Sequence, residues 1–233
     1  MSAFAARIGI DTPIALTDLL HLDALLGRVV TDDGGDIDDL PLARTDGMWH
    51  ASAALLETGP FGAVSAEQQR IKSIRKGQFP DGVLDHLPPG KRTIGAMSAF
   101  RGRITPYRPM SGVTALWFVF DGDPVAVADL LDDVLFFGAY HKVGYGRRAS
   151  DVEIFPVTAQ APAGVVLANG LPARATPMRI WDDVFELPHH PRRSVASASW
   201  RPDYRLSMRE ACAVPSQVDM MGMRSEIMGL IGA

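Results

Sequence analysis

Five apolar residues, Val127, Leu130, Leu131, Val134 and Leu135, recur at i, i+3, i+4, i+7 and i+8. That spacing lines one face of an α-helix. Asp123-Pro124 ahead of them supplies an N-cap and a proline at the first helical position. A strand pattern lies on either side: Val113 to Phe120, rich in Val, Thr, Trp and Phe, and Asp151 to Val157. A helix with a single apolar stripe between two strands has to bury that stripe on a sheet. This β-α-β unit therefore restricts the fold more than any other stretch.

The first quarter repeats the order. Phe4 to Ile10 reads as a strand, broken by Thr12-Pro13. Thr17 is placed to cap a helix, with Asp18 in its first turn. Leu19, Leu22, Leu25, Leu26, Val29 and Val30 fall on one stripe, which stops before Thr31-Asp32-Asp33-Gly34-Gly35. Met48 to Leu56 reads as the next strand. Two β-α-β units separated by a long insertion predict an α+β chain with a ferredoxin-like (RRM-like) core. The core covers 1–158 with 59–112 as a basic insertion, and 159–233 is a C-terminal extension packing on the core or on a partner. Within the extension, Val165 to Ala168 reads as a strand and Asn169-Gly170 as a turn. Ala173 to Leu187 reads as paired strands around Trp181 and Phe185, and the Met-rich tail from Gln217 to Ala233 as a short apolar helix.

Charge is unevenly placed. The net is −4, but the distribution matters more than the sum. Between 70 and 108 lie nine cations, Arg70, Lys72, Arg75, Lys76, Lys91, Arg92, Arg101, Arg103 and Arg108, opposed by Asp81 and Asp85. Phe79, Phe100 and Tyr107 are interleaved with them, a mixture that suits a nucleic-acid backbone with stacked bases. The same aromatics equally serve to anchor a long loop. Asp32, Asp33, Asp36, Asp38 and Asp39 form an acidic loop, and Asp129, Asp132 and Asp133 share one helix. An acidic face on such a protein limits nonspecific binding or docks a basic neighbour.

Cys212 is the single cysteine, which excludes intramolecular disulfides and cysteine zinc clusters and reads as a buried structural thiol. The six histidines show no HxxxH or HExxH spacing, so neither a metal nor a cofactor is expected. No apolar run reaches the roughly 18 residues of a membrane span. Met1 to Ile10 lacks a signal-peptide core, so a cytoplasmic location is expected.

The stretch Phe137-Gly138-Ala139-Tyr140-His141-Lys142-Val143-Gly144-Tyr145-Gly146-Arg147-Arg148 carries the chemistry. Glycine permits positive φ and close backbone approach, and successive N–H groups make an anion nest. Lys142, Arg147 and Arg148 neutralise phosphate, while Tyr140, His141 and Tyr145 offer faces to bases. Gly144 and Gly146 belong to the same contact. The stretch lacks GxGxxG and GxxxxGK[ST], which argues against dinucleotide and P-loop sites. Its bland alternative is a glycine-rich connection with cations facing water.

A ferredoxin-like second half ending in Gly138-x5-Gly144-Tyr145-Gly146-Arg147-Arg148 resembles the RAMP superfamily of CRISPR-associated proteins. Within it, the chain looks most like the subunit that caps the 5′ handle of the guide RNA in type IV effector complexes. Leu20-His21-Leu22-Asp23-Ala24-Leu25-Leu26 and Trp200-Arg201-Pro202-Asp203-Tyr204, leading to Cys212 and Pro215, carry that narrower likeness. The resemblance implies a non-catalytic subunit gripping guide RNA through the glycine-rich loop and the basic insertion, which would include a thumb-like hairpin. Its partners would be backbone RAMP subunits, a large subunit and, indirectly, target nucleic acid.

The rival reading is a metal-independent endoribonuclease that processes precursor guide RNA. That reaction needs a base for the 2′-hydroxyl and a cation for the phosphorane. His21 and His141 are the candidate bases, with Lys142 or Arg147 stabilising charge. A small-molecule binder is a third reading, since such folds host many functions.

Overall fold

A computed structural model describes residues 3–65, 68–72, 103–158, 162–187, 189–190, 192–202, 209–216 and 219–233. The chain divides into two compact units, Met1–Val64 with Met110–Ala233, and Ser65–Pro109. The larger unit contains β1 (Ala3–Gly9), α1 (Leu22–Asp32), β2 (Leu55–Thr58), β3 (Val113–Asp121), α2 (Pro124–Asp132), β4 (Glu153–Val157), β5 (Thr176–Pro177), β6 (Ser194–Ala198), β7 (Glu210–Val214), β8 (Met221–Gly222) and α3 (Arg224–Ile231). It is a mixed α+β architecture with several sheets and few helices.

The central sheet runs β4-β1-β3-β2-β8. β1 is antiparallel to both β3 and β4, β3 is antiparallel to β2, and β8 is parallel to β2. Side chains alternate across the pleat, and both faces are covered. Ala6, Ile8, Leu56, Leu116, Phe118 and Phe120 pack with Leu22 and Leu26 of α1 and Val127 and Leu131 of α2. On the opposite face Ala5, Leu55, Trp117 and Val119 pack with Leu167, Leu171, Met220, Ile227 and Ile231. Burial on both faces is why β3 reads as a continuous apolar run rather than an alternating one. At the edge of the second face Arg7 Nε donates to Glu57 Oε2 at 3.0 Å and Arg7 Nη1 to Glu153 Oε1 at 2.6 Å, while Trp117 Nε1 donates to Glu57 Oε2 at 2.8 Å. Burial pushes the Glu57 carboxyl up, but these donors outweigh it and hold the group below its ordinary range.

Five sequence expectations need correction. The helical stripe Val127 to Leu135 is helical only in its first part: α2 ends at Asp132, so Val134 and Leu135 lie beyond it and Leu135 is exposed. The first helix has His21 at its N-cap position, with no side-chain capping bond, and starts at Leu22, not after Thr17. Leu22 N donates to Ser52 O at 3.1 Å and Ala54 N to Leu20 O at 2.8 Å, so a tertiary ladder claims the residues a cap at Thr17 would have wound. The expected strand Met48 to Leu56 is two pieces: Met48–Trp49 pairs with Arg44–Thr45, and Leu55–Thr58 joins the central sheet. Ser52 and Ala53 between them bond to β3 and to Ala173 instead. Val165 to Ala168 forms no strand but a tight reversal, closed by Leu167 N to Leu171 O at 2.9 Å. Trp181 and Phe185 are not in strands: after β5 the chain winds through a π-helical turn, Ile180–Val184, that buries the consecutive Ile180 and Trp181. Consecutive burial is incompatible with a half-buried strand.

β5, β7 and β6 form a separate sheet. It packs Cys212 and Ala213 with Trp181 and Trp200. The tail does form a helix, α3, capped at its end by Gly232. In the smaller unit Gln68–Lys72 pairs antiparallel with Arg103–Tyr107, setting Lys72 opposite Arg103 and Arg70 opposite Thr105. Among the described residues no helix is long and apolar enough to cross a membrane.

Candidate nucleic-acid interface

The glycine-rich stretch begins five residues after α2 and is framed by the segment that follows β1. Phe137 N donates to Gly146 O at 2.8 Å, Ala139 N to Ala15 O at 2.7 Å, and Gly146 N to Pro13 O at 2.8 Å. Arg148 N donates to Leu135 O at 3.0 Å, and Ala149 N to Gly9 O at 2.8 Å. The base of the loop is thus stitched shut, and Phe137 is fully buried beneath it. Two glycines have defined roles. Gly146 sits at φ 69°, and a Cβ there would lie 1.9 Å from Phe137 O. Gly144 sits at φ 88° with nothing within 4 Å of such a Cβ, so its constraint is conformational and its surface is open.

Between these fixed points the chain makes a 3-10 turn, His141–Val143, entered through Tyr140 in the left-handed region at φ 63°. His141, Lys142, Val143 and Gly144 are exposed at the crest, and Tyr145 is half-buried. His141 lies against Phe136, ring centroids 6.4 Å apart. Both line a cleft of about 910 Å³ between α1 and the segment after α2, with Leu25, Thr31, Asp133 and Leu135 among its walls.

The two arginines after the crest are turned toward carboxylates. Arg147 grips Asp11 with two nitrogens, Nη2 to Oδ2 at 2.6 Å and Nε to Oδ1 at 3.1 Å. That bond raises the guanidinium and lowers the Asp11 carboxyl relative to their ordinary values. Arg147 N donates to Thr12 Oγ1 at 2.8 Å. Arg148 Nη1 donates to Leu131 O at 3.2 Å and Asp132 Oδ1 at 2.9 Å, tying the loop to the end of α2. Arg148 is therefore half-buried scaffold, whereas Arg147 stays largely exposed with donors engaged by Asp11.

The two candidate histidines differ. His141 is exposed. His21 is buried, and burial, followed by the nearby positive Arg174, pushes its imidazole well below the ordinary value. His21 is thus a neutral residue of the interior beside α1 rather than a group presented to solvent. Among the predicted cations, Arg108 is exposed, and Arg70, Lys72 and Arg103 have backbone positions in the strand pair of the smaller unit. Arg75, Lys76, Lys91, Arg92 and Arg101, with Phe79 and Phe100, lie outside the described residues. Cys212 is fully buried, its thiol pushed up to about 11 chiefly by burial, which fits a packing role and not a nucleophile. No group of three or more metal-ligating side chains occurs among the described residues.

Sequence reasoning overlooked two arginines on the larger unit. Arg44 and Arg201 are exposed and lie over Trp49 and Trp200, guanidinium carbon to ring centroid 4.7 and 4.4 Å. The adjacency Trp200-Arg201 was visible, but nothing in the sequence brings Arg44 to it.

Neither protein-family models nor curated proteins give a match to this sequence.

Proposed function

We propose that this chain is a non-catalytic RNA-binding subunit of a CRISPR ribonucleoprotein, holding the 5′ handle of the guide RNA beside backbone RAMP subunits and a large subunit. The observation that carries this reading is the stitched glycine-rich loop, whose open Gly144 stands next to exposed Lys142 and His141. A bare glycine lets a phosphodiester come close to the backbone, a neighbouring ammonium neutralises it, and an imidazole face stacks on or bonds a base. The order β4-β1-β3-β2, with α1 and α2 on one face, is the strand order of a ferredoxin-like core and supports that finer reading of the fold. The antiparallel strand pair that sets Lys72 opposite Arg103 supports a basic, thumb-like insertion.

The test mixes purified protein with a labelled CRISPR repeat RNA in chelator and follows binding and cleavage together. Salt-sensitive binding of intact RNA, with a slope near −0.7 per phosphate contacted, is the expected result. Lys142→Ala reduces both affinity and slope. Cutting at one position, abolished by His141→Ala, would replace this reading with the endoribonuclease.

A further inference from the structure

We propose that Arg44 and Arg201 form a phosphate-binding site on the larger unit, with the hairpin turn at Asp46-Gly47 at its centre. Arg44 precedes that turn and Arg201 follows Trp200, 157 positions later in the chain. A Cβ built on Gly47 would stand 3.3 Å from Arg201 Nη2 and 3.7 Å from Arg44 Nη2, which places those two nitrogens within 7.0 Å of each other. A charge-assisted hydrogen bond spans about 2.8 Å from each side. Two outer oxygens of one phosphate therefore bridge the pair.

The surroundings preorganise it. Trp49 and Trp200 are 5% and 4% exposed, so the rings beneath the guanidiniums are fixed in the interior. Stacking holds each guanidinium plane and leaves its N–H edge for a ligand. Donors ordered beforehand lose little freedom on binding. The charges close by are accounted for. Arg44 Nη1 donates to Asp38 Oδ1 at 2.5 Å, using one edge of that group and leaving Nη2. Arg179 also lies over Trp200, at 5.5 Å, but is paired with Glu210 at 3.5 Å. Among the described residues Arg201 has no carboxylate partner. Asp46, in the turn itself, is exposed, so Arg44, Arg201, Asp38 and Asp46 together sum to zero; what favours an anion is the two guanidiniums held near each other.

As a contact for RNA the site rests on the function proposed above; as a site for phosphate it rests on this geometry. The experiment compares the full-length protein with the double variant Arg44→Ala/Arg201→Ala, whose fold is checked by thermal melting, and with Arg44→Lys/Arg201→Lys. In anisotropy titrations with the repeat RNA, the alanine pair is expected to bind roughly tenfold more weakly and to lose about 0.7 from the salt slope, one phosphate's worth. The lysine pair keeps the slope while losing part of the affinity, because an ammonium is a point charge without the planar fork. Unchanged affinity and slope in a folded alanine pair that still binds RNA would overturn the site and leave the RNA function standing. If the wild-type protein binds no RNA, the function falls first, and inorganic pyrophosphate becomes the probe. A saturable change in tryptophan emission, lost in the alanine pair, keeps the site; no saturable change removes it.

Discussion

Arg174 Nη2 donates to Asp23 Oδ2 at 2.9 Å, and neither side chain has any exposed surface. The same guanidinium also donates to the carbonyls of Trp49 at 2.6 Å, Ala51 at 3.0 Å and Trp200 at 2.8 Å. One side chain therefore joins α1, the irregular link between Trp49 and β2, and the C-terminal sheet region. Removing one partner of a buried pair leaves an uncompensated charge, at a cost of about 3–5 kcal/mol. Arg174→Met is expected to lower the urea midpoint by that equivalent, and Asp23→Asn by somewhat less. Replacing both as Asp23→Asn/Arg174→Met costs less than the sum but does not return to wild type, since the carbonyls of Trp49, Ala51 and Trp200 lose the guanidinium that donates to them. Additive single effects in that double-mutant cycle would show that the pair is not coupled.

Two buried histidines give the fold a pH dependence in the mildly acidic range. His21 is pushed well below 6.5 by burial and by Arg174. His50 is pushed down by burial, which outweighs the opposing pull of Asp121, with Arg174 adding to the lowering. In both cases the unfolded chain binds a proton that the folded chain refuses. Stability is therefore full above pH 6.5 and falls as pH drops below it, by about 1.4 kcal/mol per pH unit for each histidine still neutral in the fold. Urea titrations between pH 7.5 and 5 should show this slope, reduced by His21→Gln. A flat profile over that interval would mean that both imidazoles take up protons in the native state.

Much of this architecture was legible because its signals are local. The Asp123-Pro124 start and the β3 run sit within a short window and lie where their patterns put them, whereas the α2 stripe is cut short: the helix ends at Asp132, leaving Val134 and Leu135 beyond it. The start of α1 was not legible, because residues 20–22 bond to partners some thirty positions away. The glycine-rich stretch announced a loop, and its crest residues are exposed. That Arg147 turns to Asp11 was hidden, since the two are 136 residues apart. Arg174 stands in Leu-Pro-Ala-Arg-Ala-Thr, a context that gives a cation no visible partner. Long-range pairing by charged groups leaves no periodicity in a sequence, so such contacts stay silent.

Cys212 should be inert while the chain is folded. Its side chain is enclosed, Sγ lies 3.6 Å from Ala198 O, and its thiol sits at about 11, so little thiolate exists at neutral pH. Alkylation by iodoacetamide at pH 7.5 is expected to be slow in buffer and to rise steeply through the urea transition. Rapid modification in buffer would place the thiol at the surface.

The two glycines of the loop should separate folding from binding. Alanine at 146 meets two penalties at once: a left-handed backbone at φ 69° and a Cβ 1.9 Å from the carbonyl of Phe137. That carbonyl belongs to the residue whose N–H bonds Gly146 O, so relief requires breaking the seam that closes the loop. Gly146→Ala is expected to destabilise by on the order of 3 kcal/mol or more, combining strain with lost packing over Phe137. Gly144→Ala keeps every loop hydrogen bond and meets no neighbour, so it carries only the left-handed backbone cost of about 1–2 kcal/mol. Its new methyl stands at the crest beside Lys142, where a phosphodiester would approach. Thermal melting is therefore expected to rank 146 well above 144 as a folding defect. RNA titrations at a temperature where both remain folded should show Gly144→Ala losing affinity beyond its loss of stability. Wild-type affinity in Gly144→Ala would move the RNA contact away from this crest.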